Sequence, residues 1–321
     1  MRHRHLVGIA LVVISACGYG SGPLLAKGVY AAGADWLTLL AWRFTLGAAL
    51  TWGWIFARAS GREALQRLTL RRAAAFLGLG MVFAGNAATY YAAVELVPVS
   101  LVALLLYVYP ALVAVLAMRF GQSFEGRRPW VALVIATFGA VLTVGGIRAG
   151  TNPLGVALAA VSPLIYSGYI LLSALVAGER RGATAHARRA EDDPDVPPLV
   201  AAALMIVGTW LVLVALAVAV REPALPWQVP PDAWPGLVGI AVLSTAVAIQ
   251  AFYAGVSRIG AAQAALVSTM EPVFTVTLAV LVLGERLGPQ QLLGAVFVVA
   301  AVMLAQTGRG AAARVAVARE A

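Results

Sequence analysis

Long apolar runs alternate with short polar connections along the whole chain. Ten runs stand out, at 6–26, 36–57, 73–95, 99–119, 129–147, 153–175, 199–220, 236–256, 262–284 and 288–307. Each is close to the roughly 20 residues that a helix needs to cross ~30 Å of hydrocarbon. The pattern predicts an all-α integral membrane protein with ten transmembrane helices. The first run follows Arg2 and Arg4 and contains Ile14-Ser15-Ala16-Cys17, which has the form of a lipoprotein cleavage box. Nine further runs, and a later counterpart of this segment, favour a retained first helix.

The counterpart is part of an internal repeat. Residues 90–110 align without a gap on 252–272, pairing Tyr91 with Tyr253, Ala103 with Ala265 and Pro110 with Pro272. After a two-residue adjustment Glu125 meets Glu285 and Pro129 meets Pro289, and at the starts of the halves Gly8, Ser15 and Tyr19 meet Gly155, Ser162 and Tyr166. Two halves of five helices are expected, at 1–150 and 151–308, followed by a cytoplasmic tail at 309–321. Because five is odd, the halves enter the membrane from opposite sides. Such inverted repeats place a binding site near the midplane at their interface.

The basic residues orient the chain. Of the 23 Lys and Arg, four (Lys27, Arg148, Arg221 and Arg286) fall in connections on one side, Arg43 lies within a run, and the other eighteen fall on the side of the termini. The positive-inside rule then puts both termini in the cytoplasm, in a multi-pass protein of the cytoplasmic membrane. The connection at 177–198 is polar, mixed in charge and ends in prolines, which reads as a flexible cytoplasmic linker. The tail is either disordered or a short basic helix on anionic lipid.

Run 262–285 carries a carboxylate, Glu271, amid apolar residues. An ionisable group near the centre of a span costs at least ~2.5 to 3.5 kcal/mol, which marks it as a functional candidate. Pro272 follows it, cannot donate to the helical ladder, and frees a carbonyl one turn back.

Composition narrows the class further. The 321 residues are 61% hydrophobic and 12% charged, with a mean hydropathy of +0.88, against about 25% charged residues in soluble domains. The net charge of +9 resides in short connections, which leaves no basic face for nucleic acid. Cys17 is the single cysteine, so an intramolecular disulfide and a cysteine-based metal site are both excluded. His3, His5 and His186 all lie in polar connections. No metal, no cofactor and no phosphate-binding loop is expected. Gly18, Gly20 and Gly22 read as close-packing positions.

Ten helices in two halves, prolines within helices 4 and 9, Glu271-Pro272, Gly284-Glu285-Arg286 and Ala41-Trp42-Arg43-Phe44 together resemble the EamA family of the drug/metabolite transporter superfamily. The resemblance covers nearly the whole chain. The first half departs from it, with Phe124-Glu125-Gly126 where Gly-Glu-Arg/Lys is usual. The resemblance implies uptake or efflux by alternating access, in many members in exchange for protons.

Glu271 shares a helical face with Ala264, Ser268 and Thr275, which suits either a cavity wall or a close helix contact. Its functional reading is a group that takes and releases a proton; its structural reading is a glutamate bonding the carbonyl that Pro272 frees. Arg43, about 10 Å inside its helix at ~1.5 Å per residue, needs a partner. Glu271 or an anionic substrate group would serve, with snorkelling to the headgroups as the alternative. Tyr107, Tyr91 and Tyr253 are the tyrosines expected to contact an amphipathic substrate, while Asn86 and Gln250 bond either substrate or a neighbouring helix. Lys27 reads as an interfacial anchor or a substrate contact, and Pro110 and Pro272 as the hinges.

One acid and one base suit a zwitterion, so the expected partner is a small metabolite such as an amino acid, alongside protons and the lipid bilayer, in a monomer or homodimer. A lipid-acting enzyme would need a paired acid and base or metal ligands at one membrane face. No such set appears, so no enzyme is expected. A non-transporting assembly or sensor subunit is the remaining alternative.

Overall fold

The computed structural model describes residues 2–119, 127–145, 150–176, 197–222, 225–259 and 261–320. Among these, all regular structure is helical: α1 (Arg2–Ala31), α2 (Trp36–Ala57), α3 (Ala59–Gln66), α4 (Leu70–Leu96), α5 (Val99–Leu106), α6 (Tyr109–Arg119), α7 (Arg128–Gly145), α8 (Pro153–Val176), α9 (Pro198–Val220), two short 3-10 turns (Pro226–Gln228 and Pro231–Ala233), α10 (Trp234–Gly239), a π-helical segment Ile240–Val247, α11 (Ala248–Ile259), α12 (Ala261–Ser268), α13 (Met270–Leu283) and α14 (Pro289–Glu320). The expected linker falls at 177–196 outside the described residues. The final helix continues through position 308 into the tail without a break.

Five helical stretches are long and apolar enough to cross a membrane: His5–Ala31, Leu70–Leu96, Pro153–Ser173, Leu199–Val220 and Pro231–Ile259. α2 has 22 residues but carries Arg43 and four tryptophans. The shorter apolar helices are Val99–Val113, Trp130–Val144, Met270–Leu283 and Pro289–Leu304. Two of the expected spans are therefore shortened by interruption. The fourth breaks between α5 and α6 at Tyr107-Val108, just before Pro110, and the ninth breaks between α12 and α13 at Thr269, just before Pro272. In the repeat register Tyr107 aligns with Thr269, so both halves break at the same place.

Polar side chains start several helices. Asp35 accepts from Thr38 N at 2.8 Å and Thr69 from Arg72 N at 3.4 Å, which satisfies donors that a first turn leaves free. The outward faces are apolar. Val134, Phe138 and Val141 recur along α7, and Leu292, Val296 and Met303 along α14, all well exposed. An apolar face of this extent suits lipid and not water.

The packing is reciprocal. α1 lies along α11 as α8 lies along α4, α7 packs on α14, and α9 on α2. The glycine seams repeat as well. A Cβ on Gly8 would lie 2.5 Å from Ile259 and 2.8 Å from Arg258; on Gly155 it would lie 2.6 Å from Val97 and 2.8 Å from Leu96. Those partners are the same positions in the repeat register. α4 and α9 cross with equally little room, since a Cβ on Gly80 would approach Met205 O to 2.1 Å and one on Gly208 would approach Leu77 O to 2.1 Å.

Gly80→Ala should therefore lower the melting temperature in detergent, at an overpacking cost of about 1–3 kcal/mol. Gly53→Ala, with nothing within 4 Å of its added carbon, should melt no lower than the parent. Equal melting of Gly80→Ala and the parent would contradict the close crossing.

Candidate functional site

The two interruptions meet. Glu271 stands in the first turn of α13, where the helix dipole favours negative charge, and its carboxylate is a hydrogen-bond partner of the Tyr107 hydroxyl at the break of the other half. Tyr90, Tyr91 and Tyr166 lie close enough to feel its charge. Glu271, Tyr90 and Tyr166 sit deep in the bundle yet keep part of their surface accessible.

Aromatic rings extend from this point. Tyr107 and Tyr109 have centroids 5.9 Å apart, Tyr109 meets Tyr166 edge-on at 4.7 Å, and Tyr166 stacks on Tyr169 at 5.8 Å. α1 backs the site closely, because a Cβ on Gly20 would stand 2.7 Å from Thr275 Oγ1 and 3.3 Å from Glu271 O. This is the close-packing role expected of the α1 glycines. Thr275 donates to both Gly20 O (3.2 Å) and Glu271 O (3.0 Å). Ser268 donates to Ala264 O at 2.9 Å, and the break at Thr269 separates it from the turn that holds Glu271. The continuous face expected through Ala264, Ser268, Glu271 and Thr275 is thus interrupted.

Arg43 corrects one expectation and settles another. It neither pairs with Glu271 nor snorkels outward. Its Nη1 donates to the Tyr91 hydroxyl, its Nε to Thr245 Oγ1 at 3.2 Å and its Nη2 to Ser244 O at 3.5 Å, and the guanidinium lies 5.0 Å from the Tyr91 ring centroid. Ser244 and Thr245 belong to the π-helical segment, whose wider turn changes which backbone groups are free to accept. Gly22 makes room for this node, since a Cβ there would meet Ser244 Oγ at 2.7 Å and the Tyr91 hydroxyl at 2.8 Å. Tyr90 and Tyr91 are each within electrostatic reach of both Arg43 and Glu271.

The remaining candidates lie elsewhere or outside view. Asn86 Oδ1 accepts from Ser162 at 2.9 Å, tying α4 to α8, which is the neighbouring-helix alternative. Gln250 is half-buried on α11. The side chain of Tyr253 lies outside the described residues. Lys27 is far from Glu271 in role: its ammonium donates to Val97 O at 3.1 Å and Glu95 O at 3.5 Å, closing the C-terminal end of α4. Pro110 and Pro272 are buried beside the breaks. Among the described residues no group of His, Cys, Asp and Glu could hold a metal ion. Ser244 and Thr245 were not singled out by the sequence, although a Ser-Thr pair inside an apolar run was the available signal.

Apolar outer faces around broken helices that meet at a polar centre define a membrane protein of the transport class. The chain belongs to the EamA-like transporter family, whose model matches residues 6–145 and again 153–307. A curated relative from Bacillus subtilis (strain 168), described as the uncharacterized transporter YcbK, is 28% identical over 199 residues. That match spans 60% of this chain and 58% of the relative, less than two thirds of its length. A crystal structure described only as that of a protein shares the fold, with a TM-score of 0.60 and 20% identity over 95% of this chain and 97% of that one.

Tyr91→Phe removes the acceptor of a charge-assisted bond and should cost about 1.5–3 kcal/mol of stability. In a double-mutant cycle with Arg43→Ala, read by denaturation in detergent, the two losses should fall short of additivity. Additive losses would show that the two side chains do not interact.

Proposed function

We propose that the protein is a secondary carrier that moves a small zwitterionic metabolite, an amino acid or a close analogue, across the cytoplasmic membrane by alternating access in exchange for protons. The observation that carries this reading is the meeting of Glu271 and Tyr107 where the two halves break at equivalent positions. Ten spans in two inverted units, with both termini cytoplasmic, is the topology that the repeat register and the 18 to 4 distribution of basic residues favour. The repeats then rock about Pro110 and Pro272, beside which neither helix is continuous.

In this reading Glu271 exchanges a proton or the substrate's amino group at the centre, displacing Tyr107. The substrate's carboxylate goes to the Arg43–Tyr91 node, where the guanidinium has N–H donors to spare. Tyr91, with its register mate Tyr253, supplies apolar surface, Ser268 offers a polar contact beside the break, and Gln250 a further one from α11. The protein acts as a monomer or homodimer in lipid and needs no cofactor.

Purified protein in vesicles carrying a pH gradient tests this with radiolabelled amino acids. Glu271→Gln should stay folded and lose proton-driven flux, whereas fully retained coupling would remove Glu271 from the proton path. An absence of saturable flux across a metabolite library would favour the assembly or sensor subunit.

A further inference from the structure

One family-like signature, Gly284-Glu285-Arg286, plays no part in the central site. Gly284 ends α13 with φ of +66°, a left-handed conformation that glycine adopts without penalty. The chain turns there, and Glu285 N bonds back to Ala279 O at 3.1 Å. The Glu285 carboxylate then reaches the first turn of α5, accepting from Val99 N at 2.7 Å, Ser100 N at 3.0 Å and Ser100 Oγ at 2.5 Å. α5 has no cap of its own, since Pro98 at its N-cap makes no side-chain bond. Its free donors depend on a residue from the other half of the chain.

We propose that Glu285 and Ser100 form a releasable latch that shuts one mouth of the carrier. This rests on the alternating-access reading of the central site. α5 and α13 pack together and are clamped at two places: Ser100 to Glu285 at the mouth and Tyr107 to Glu271 at the centre. A ligand that separates Tyr107 from Glu271 loosens one clamp, and the same two helices carry that change to the other.

Neighbouring contacts gather at the same mouth. Lys27 holds the end of α4 and lies within electrostatic reach of both Glu285 and Glu95, while the Glu95 carboxylate accepts from Trp36 N at 2.9 Å to start α2. α1, α2, α4, α5 and α13 are thereby tied together by side chains reaching helix ends. The carboxylate that joins the two halves comes from a connection of five residues, 284–288, that has no regular structure. The opposite mouth is built differently in sequence, because Val99 and Ser100 align with Ala261 and Ala262, neither of which has a hydroxyl. The Ser100 hydroxyl of the latch thus has no counterpart there.

The test uses full-length protein in vesicles with Cys17→Ala as background and Ala103→Cys as reporter, one turn beyond Ser100 on α5 and 1% exposed. The probe is a membrane-impermeant methanethiosulfonate applied to each face separately, with melting temperature measured for every variant. Ser100→Ala, which leaves the charge, and Glu285→Gln should each speed labelling about tenfold, the effect of losing one charge-assisted bond, and only from the face bearing residues 27 and 285. Glu285→Asp should fall between them and the parent. Unchanged labelling in folded variants overturns the latch, as does faster labelling from both faces with a fallen melting temperature, which marks a permanent cap. The assay needs no substrate, so failure of the latch is distinct from absence of flux, which would sink the carrier reading instead.

Discussion

Everything distinctive about this bundle follows from interrupting two helices among apolar surroundings. A broken helix leaves backbone donors and acceptors without partners, and neither lipid nor an apolar core supplies them. Such breaks persist only where other groups take over. At the break before Pro110 the backbone turns on itself, Val108 N bonding Leu105 O and both Ala111 N and Leu112 N bonding Val108 O, while at nearby helix ends side chains from distant parts of the sequence take over: Glu285 at the start of α5, Lys27 at the end of α4 and Glu95 at the start of α2. The charged residues left inside the apolar runs either answer for backbone ends, as Lys27 and Glu95 do, or bond to hydroxyls, as Arg43 and Glu271 do.

Pseudo-symmetry lets one solution serve twice while the chemistry diverges. Gly8 and Gly155 solve the same packing problem against equivalent partners, and the breaks recur at Tyr107 and Thr269. The side chains at the breaks differ, however. Glu271 aligns with Tyr109, so the second half supplies the acid and the first half supplies phenols around it. Two identical acids facing each other would repel in a low dielectric. An acid against tyrosines gains a donor, and the rings cover apolar surface.

The sequence made the all-helical membrane class and the two-repeat organisation legible, because membrane spans impose the strongest pattern that a chain can carry: length and apolarity point the same way. It also exposed Glu271, since a lone carboxylate in an apolar run has few explanations. Partnerships were less readable. Arg43 and Glu271 are the natural pair by charge, yet the distance between two side chains on helices 2 and 9 depends on crossings set by Gly20, Gly22 and the π-helical segment. No periodicity announces that segment. Asn86 and Lys27 looked alike as polar groups in apolar runs, but one ties two helices and the other closes a helix end. A role of that kind is fixed by which backbone ends come near, and this is a property of packing.

The separation of Arg43 from Glu271 bears on how a carrier of this kind can work. A direct buried ion pair is costly to break, by about 3–5 kcal/mol when one partner is lost, and a substrate would have to replace both halves of it at once. Each of the two groups has a neutral partner instead: Arg43 the hydroxyls of Tyr91 and Thr245, Glu271 the hydroxyl of Tyr107. Exchanging a neutral hydroxyl for a charged substrate group strengthens the contact at either end, and the two exchanges can occur one after the other. A zwitterion bridging the gap would satisfy both charges without their ever meeting.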